Sequence, residues 1–373
     1  MTFVSALAWI LLLIGTYLLS RQRFIWDGLL FVALSLALLA SHMIKRRDRG
    51  THLWSRVQTF YPRCWGGWVR IGGLALSALV ALNARTRPAH LGFVAALIAW
   101  AMAVAGFALS LFLQLPRYAV RGRRKRSEVL PLIGLLVAAA LLRGVAVGRI
   151  PTNLGGDEGT QLVAGLELLA PPLGNPFATG WYSVPTMSFL AYGLGMEVFG
   201  ASVAGARALS VILGTLTVAT TYLLGRVLSG HRIGLLSAAF VAFSAYHIHF
   251  SRLASNQIAD PLIGTLTLWL IWCSLSPLPS VGRAETLISM TAGESRHPHT
   301  WYRRRGDECQ PQRSTLLLGL AGMVAGCGWY AYFGARWVTV LAMLIFGWRA
   351  LCVPDFIRRY GRGLLLFGLG LGV

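Results

Sequence analysis

Acidic residues are scarce in this chain of 373 residues, which has 13 aspartates and glutamates against 34 lysines and arginines. Only 13% of the residues are charged and 55% are hydrophobic, whereas a soluble domain carries about 25% charged residues. This composition excludes an ordinary soluble globular protein and predicts a polytopic membrane protein. The net charge of +21 does not indicate nucleic-acid binding, because the basic residues cluster in short loops between apolar runs and form no basic module with interleaved aromatic residues.

The sequence also lacks a nucleotide-binding motif, an internal repeat and metal-type cysteine spacing, and each absence argues against one class of function. The sequence has no GxxxxGK[ST] motif, so nucleotide hydrolysis is not indicated. It has no internal repeat, which is the signature of many secondary transporters. Its five cysteines are odd in number and lack metal-ligand spacing, so we expect neither a disulfide framework nor a cysteine metal site.

Apolar runs of the length that crosses a bilayer, about 17–25 residues, alternate with short basic loops. The runs cover residues 3–19, 25–44, 71–82 (a weaker signal), 91–115, 129–147, 203–228, 233–250, 260–275, 315–331 and 337–352. Placing the basic loops in the cytoplasm puts the acidic residues of the second half of the chain on the outer side. The pattern predicts an all-α polytopic transmembrane protein. The last run, 364–373, is too short to span, so the chain looks truncated at its C-terminus.

The same pattern divides the chain at residue 129. Residues 1–128 are predicted to form N-terminal transmembrane helices with basic cytoplasmic loops, and residues 129–373 a second transmembrane domain. The polar stretch 276–314 is predicted as a flexible cytoplasmic insert. Residues 162–199 are apolar but broken by proline and glycine, which favours short juxtamembrane helices on the outer face over an ordinary loop.

Asp157 and Glu158 stand side by side just beyond the apolar run 129–147. Charged groups at a membrane boundary are costly unless they are solvated or paired, so this pair is a candidate functional site. The alternative is structural, with Asp157 capping a helix that begins near Gly159.

Two further segments are predicted to meet this pair on the outer side, namely 246–260 and 330–336. They supply the cations Arg252 and Arg336 and the carboxylate Asp260. A carboxylate can take the proton of an acceptor, and an arginine can neutralise a leaving phosphate. Structural alternatives remain open, because the arginines could contact lipid headgroups and Asp260, before Pro261, could cap a helix.

Aromatic and histidine side chains complete the candidate set. Trp181 could anchor the chain at the membrane interface or pack against a sugar, and Tyr332 lies in an aromatic-rich turn before Arg336. His247 and His249 are two residues apart and point to different faces of a helix, so a structural role is favoured over a metal pair.

Several motifs in order resemble glycosyltransferase family 39 and its relatives in the membrane-embedded GT-C superfamily, including the protein O-mannosyltransferases and the lipid A aminoarabinose transferases. The motifs are GGDEGTQ, GWYSVP, ASVAGARALS, the stretch from GHRIGLLSAAF to SRLASNQIADPL, and YAYFGARW. The resemblance covers about residues 129–352 and implies the GT-C fold.

The resemblance also implies an activity, the transfer of a sugar from a polyprenyl-phosphate donor to a protein, lipid or glycan acceptor, with inversion. It implies a multi-pass plasma-membrane protein whose active site lies on the extracytoplasmic face. Neither a nucleotide nor another cofactor is expected, and a divalent metal is an open alternative that the reaction does not require. The implied catalytic residues are Asp157 (the base), Glu158 and Asp260, and the implied substrate-binding residues are Arg252 and, in the YFGAR turn, Tyr332 and Arg336. His249 and Trp181 are added as substrate-binding candidates because they lie in segments predicted on the outer side.

Two other functions remain as alternatives, a transporter or flippase of lipid-linked sugars and a non-catalytic membrane scaffold. A transporter usually places ionisable residues in mid-membrane, whereas here the acidic residues gather at one predicted surface.

Overall fold

The computed structural model describes residues 65–86, 92–112, 126–276 and 299–373. Within these ranges the chain forms twelve α-helices and three short 3₁₀ turns, and it contains no β-strand apart from one isolated bridge between Thr179 and Pro185. The all-α prediction is therefore confirmed. The predicted spans 3–19 and 25–44 lie outside the described residues.

The helices are numbered in chain order. They are α1 Trp65–Arg85, α2 Gly92–Phe112, α3 Arg126–Gly144, α4 Gly156–Leu169, α5 Thr186–Phe199, α6 Val203–Ser229, α7 His231–Phe243, α8 Ala245–Ser251, α9 Ala259–Leu275, α10 His299–Cys327, α11 Phe333–Cys352 and α12 Phe356–Leu371.

Five helical segments of the described ranges are long and apolar enough to cross a membrane, namely Gly67–Arg85, Gly92–Phe112, Val203–Ser229, Asn256–Leu275 and Phe333–Cys352. Helices α7 and α8 together form a sixth candidate, bent by 61°. This confirms a polytopic membrane protein. The break follows from Ser244, a good helix N-cap residue, whose side chain accepts a hydrogen bond from the backbone N–H of His247.

Helix α6 is the centre of the site-bearing half, because it packs against α3, α5, α7 and α9. Its hairpin with α7 turns at Gly230, which has a φ of 92°, a conformation that favours glycine. A Cβ at Gly225 would lie 2.9 Å from the Cα of Gly234. Only glycine therefore allows the two backbones to approach so closely.

The short juxtamembrane helices expected between 162 and 199 correspond to the second half of α4 and to α5, which pack against each other. At the C-terminus, the basic stretch and the last apolar run belong to one helix. The basic residues after Asp355 belong to helix α12, which begins at Phe356, and the apolar run 364–373 is the second half of that helix.

The domain division stays a prediction, and residue 129 falls inside helix α3. Helix α10 begins at His299, within the stretch predicted as a flexible insert. Residues 277–298 of that stretch lie outside the described ranges.

Candidate functional site

Glu158 and Arg207 form a buried ion pair between α4 and α6. Arg207 Nε lies 2.7 Å from Glu158 Oε1, and Nη2 lies 2.9 Å from Oε2. The exposed fractions of the two side chains are 4% for Glu158 and 0% for Arg207. Such a two-point arginine–carboxylate contact is strong and fixes the orientation of both groups.

The ion pair connects three parts of the chain. Ala254 donates its backbone N–H to Glu158 Oε1 at 2.7 Å, and Arg207 Nη1 donates to the carbonyls of Val147 and Pro151, each at 2.9 Å. The Asp157–Glu158 segment and the 246–260 segment therefore meet, as the sequence predicts. Glu158 itself is fully engaged by protein groups.

Asp157 has different surroundings from its neighbour. Helix α4 begins at Gly156 with Gly155 as the N-cap, so Asp157 lies in the first turn and does not cap the helix. The capping alternative was therefore wrong. The side chain is exposed and makes no hydrogen bond or ion pair among the described residues. An exposed carboxylate without a protein partner is available to accept a proton from a substrate.

Arg252 is held by backbone carbonyls at the end of α3. Its Nη1 donates to Leu142 O at 2.7 Å and to Arg143 O at 3.2 Å, and its Nη2 donates to Val145 O at 2.8 Å. Nε and Nη2 both donate to the carbonyl of Ile150. A cation here satisfies the unpaired carbonyls of a helix C-terminus. Partial burial, followed by the positive charge of Arg207, lowers the pKa of Arg252.

Asp260 does not cap its own helix, as the structural alternative supposed. Helix α9 begins at Ala259, and its N-cap, Ile258, makes no side-chain bond. The Asp260 carboxylate instead faces the backbone N–H groups of Tyr332, Gly334 and Ala335 at the start of α11. It thus caps another helix, and joins the second and third predicted site segments.

Arg336 lies beside Asp260 in the first turn of α11, and we call this group of residues the α11 corner. Its guanidinium lies 4.9 Å from the ring centre of Phe333 and 5.7 Å from that of Trp329, and it interacts electrostatically with Asp260. Arg336 Nε and Asp260 Oδ1 are both buried and have no hydrogen-bond partner. Buried polar atoms without partners are rare, and each calls for an explanation such as a ligand.

The aromatic candidates lie at different positions. Tyr332 is half-buried, and its ring centre lies 5.1 Å from that of Phe333, so it belongs to the α11 corner. His249 is exposed and contacts the ring of Phe250. Trp181 lies apart from these, beside α4, and is 38% exposed.

Two buried arginines were not singled out from the sequence, Arg207 and Arg143. Arg143 has an exposed fraction of 0% and donates to the carbonyls of Val241 and Ala242 at the α7–α8 break. It also donates to His247 Nδ1 at 3.0 Å, so one ring nitrogen of His247 has a structural contact. The signal was a lone cation in an apolar run, which is costly unless it is used.

Among the described ranges, no three His, Cys, Asp or Glu side chains are grouped so that they could hold a metal ion.

Comparison with known proteins adds a decisive observation. Residues 183–278 match the family described as dolichyl-phosphate-mannose-protein mannosyltransferase. This match confirms the resemblance to the GT-C glycosyltransferases. The matched segment runs from the turn after Trp181 through α9 and so includes Arg207, Arg252 and Asp260. No curated protein and no solved structure matches the chain.

Proposed function

We propose that this membrane glycosyltransferase moves a sugar from a polyprenyl-phosphate donor to an acceptor hydroxyl on the extracytoplasmic face, with inversion. The observation that carries the proposal is a contrast among the charged candidates. Glu158 and Arg252 are fully hydrogen-bonded by the protein itself. Asp157 is unpaired, and Arg336 keeps an unpartnered Nε, so these two groups remain for substrates.

The reaction is a single displacement at the anomeric carbon. Asp157 accepts the proton of the acceptor hydroxyl, whose oxygen forms a new bond to that carbon. The bond from the same carbon to the phosphate oxygen breaks, and its electron pair leaves with polyprenyl phosphate. Arg336 stabilises the negative charge of this leaving group. Attack from the side opposite the phosphate inverts the configuration.

The other residues position these two. Glu158 fixes the first turn of α4 through Arg207, and Asp260 fixes the start of α11 and hence Arg336. Tyr332 packs at the same helix start, beside the donor phosphate. His249 is exposed on α8, the helix that precedes the Arg252 turn, where it contacts a substrate. The description of the matching family supports a polyprenyl-type donor and a protein acceptor.

The test is Asp157→Asn in the full-length protein, supplied with polyprenyl-phosphate mannose labelled in the sugar. Loss of the base lowers the transfer rate by about 10²–10⁴-fold, while the thermal unfolding temperature stays unchanged because Asp157 has no partner to lose. Glu197→Gln, which removes an exposed carboxylate of α5, serves as the control. Near-normal turnover of Asp157→Asn would refute the assignment. Transfer of label across liposomes without cleavage would support a flippase instead.

A further inference from the structure

An open groove runs along α4 and leads away from Asp157. It consists of two adjoining depressions of about 250 and 530 Å³ that share Ala164, Glu167 and Trp181. The nearer one is also lined by Gly159 and Thr160, which lie two and three positions after Asp157 on the helix.

Helical geometry places Asp157 at one end of this groove. Thr160, Ala164 and Glu167 follow Asp157 at intervals of three, four and three residues, which keeps all four on one helix face. Gly159, Thr160 and Ala164 are small, and Val163 is the largest of the α4 side chains that line the depression between Thr160 and Glu167. An extended chain could therefore lie close to α4 there.

Trp181 lines both depressions, opposite α4, and its backbone is held in place by hydrogen bonds. It belongs to a tight turn in which Gly180 N donates to Val184 O at 2.8 Å. A Cβ at Gly180 would lie 2.9 Å from the Phe189 ring, so the turn packs directly on α5. The turn thus fixes the backbone position from which the exposed indole projects.

The charge of the groove is one-sided. Among the described residues that line it, the charged one is Glu167, and Asp157 stands at its end, while no basic residue is present. The candidate cation for phosphate, Arg336, belongs to the α11 corner. A surface with a carboxylate and an exposed indole suits a cation-bearing chain, since an ammonium or guanidinium is attracted both by carboxylates and by aromatic faces.

We propose that this groove binds the acceptor, an extended peptide segment that carries its hydroxyl at Asp157 and a lysine or arginine at Glu167 and Trp181. The inference rests on the proposed function, because it takes Asp157 as the base. The ten residues from Asp157 to Glu167 span about 15 Å of helix at ~1.5 Å per residue. An extended peptide advances about 3.3 Å per residue, so the basic residue lies about four or five positions from the accepting serine or threonine.

The experiment uses the full-length protein in lipid nanodiscs, polyprenyl-phosphate mannose and synthetic peptides with one serine. The peptides carry lysine, norleucine or glutamate at two, four or five positions from the serine, on either side. We expect lysine at four or five positions to raise kcat/KM about two- to five-fold over norleucine, the range of an exposed ion pair, and glutamate to lower it.

Variants of Glu167 test the charge contact. Glu167→Gln should abolish the preference for lysine and Glu167→Lys should reverse it in favour of glutamate, whereas Glu197→Gln keeps it. Equal preferences in the wild type and Glu167→Gln would overturn the proposal.

Variants of Trp181 test the aromatic surface. Trp181→Ala should raise the peptide KM about ten-fold, as expected when an aromatic side chain that the bound peptide covers is truncated. Trp181→Phe should retain most of the affinity. Trp348→Ala is the control, because it removes an exposed tryptophan of the apolar helix α11 (69% exposed) that does not line the groove. An unchanged KM for Trp181→Ala would contradict the proposal.

Two outcomes separate this inference from the proposed function. Donor cleavage by water without transfer to any peptide would overturn the peptide groove alone and point to a lipid or glycan acceptor. No donor cleavage under any condition would overturn the proposed function. Fluorescence anisotropy of labelled peptides without donor tests the groove independently of turnover, and the lysine peptides must bind more tightly than the glutamate ones.

Discussion

Glu158 is the residue whose loss should unfold the site. Glu158→Gln keeps the shape of the side chain but leaves Arg207, with an exposed fraction of 0%, without a counter-charge. Removing one partner of a buried pair costs about 3–5 kcal/mol of stability. We therefore expect a lower unfolding temperature in thermal denaturation of the purified protein, and lower activity as a consequence.

The neighbouring carboxylate supplies the comparison. Asp157→Asn alters the exposed member of the same pair and should leave the unfolding temperature unchanged while transfer falls. If Glu158→Gln lowered activity without lowering the unfolding temperature, Glu158 would contact substrate rather than hold the fold. If both variants lowered the unfolding temperature equally, the contrast between the two carboxylates would be wrong.

Arg252 and Arg336, the two candidate phosphate-binding arginines, should also differ in whether their replacement lowers stability or activity. Arg252→Lys replaces a guanidinium with several carbonyl contacts by an ammonium with fewer donors, so stability should fall. Arg336→Lys keeps a cation beside Asp260 but loses the planar group that a phosphate engages at two points. Its kcat/KM for the donor should fall about 10–100-fold, a loss of 1.4–2.7 kcal/mol of transition-state binding.

Steady-state kinetics with varied donor, combined with thermal denaturation, checks both variants. Stability loss in Arg336→Lys together with normal stability in Arg252→Lys would exchange their roles.

The residue types of the site could be read from the sequence, but their partners could not. Asp157, Glu158, Arg252 and Asp260 stand out because charges at membrane boundaries are costly. Nothing in the spacing shows that Glu158 pairs with Arg207, 49 positions away, or that Arg252 binds carbonyls of α3. Such pairings depend on how α4, α6 and the 252–256 turn pack, which is a property of the tertiary fold.

At the scale of elements, the start of α11 depends on a carboxylate from α9. A Cβ at Gly334 would overlap Asp260 Oδ2 and lie 3.0 Å from its Cγ. Gly334→Ala should therefore displace Asp260 from the helix start and move Arg336 with it, which lowers activity. A misplacement of about 1 Å can cost roughly 10²-fold in rate.

Gly347→Ala is the matched control, because the same helix offers nothing within 4 Å of a Cβ at that position. Transfer assays of both variants at equal protein levels make the comparison. Normal turnover of Gly334→Ala would show that the contact between Asp260 and the start of α11 does not shape the site.

Element types followed from local signals more reliably than their ends did. Proline and glycine marked the short helices α4 and α5, and Ser244 explains the break between α7 and α8. Asp260 before Pro261 read as a local cap, yet the carboxylate faces the N–H groups of α11, some seventy positions later. Local sequence shows that a helix end needs a partner but not which one it finds.

At the scale of the whole molecule, the segment that matches the family does not contain the complete site. Residues 183–278 contribute Arg207, Arg252 and Asp260. The proposed base lies before this segment, on α4, and the proposed phosphate cation after it, on α11. Contacts of Glu158 with Arg207 and of Asp260 with α11 bring these parts together, so on the proposed function we expect activity to require the regions outside the matched segment as well.

The length of helix α6 predicts how the chain is oriented in the membrane. Helix α6 has 27 residues, about 40 Å at ~1.5 Å per residue, which exceeds the ~30 Å hydrocarbon core of a bilayer. We therefore expect its two ends to reach opposite surfaces of the membrane. Asn153 lies at the Val203 end, because its carbonyl accepts from Arg207 Nη2 at 3.3 Å. Ser229 lies at the other end, between the basic residues Arg226 and Arg232.

Single cysteines introduced at Asn153 and Ser229, in a variant without the five native cysteines, should label from opposite sides of intact cells with a membrane-impermeant maleimide. The positive-inside rule places Ser229 in the cytoplasm, so Asn153→Cys should react from outside and Ser229→Cys only after permeabilisation. The reverse result would place the Asp157 site in the cytoplasm, and labelling of both from one side would mean that α6 does not span the membrane.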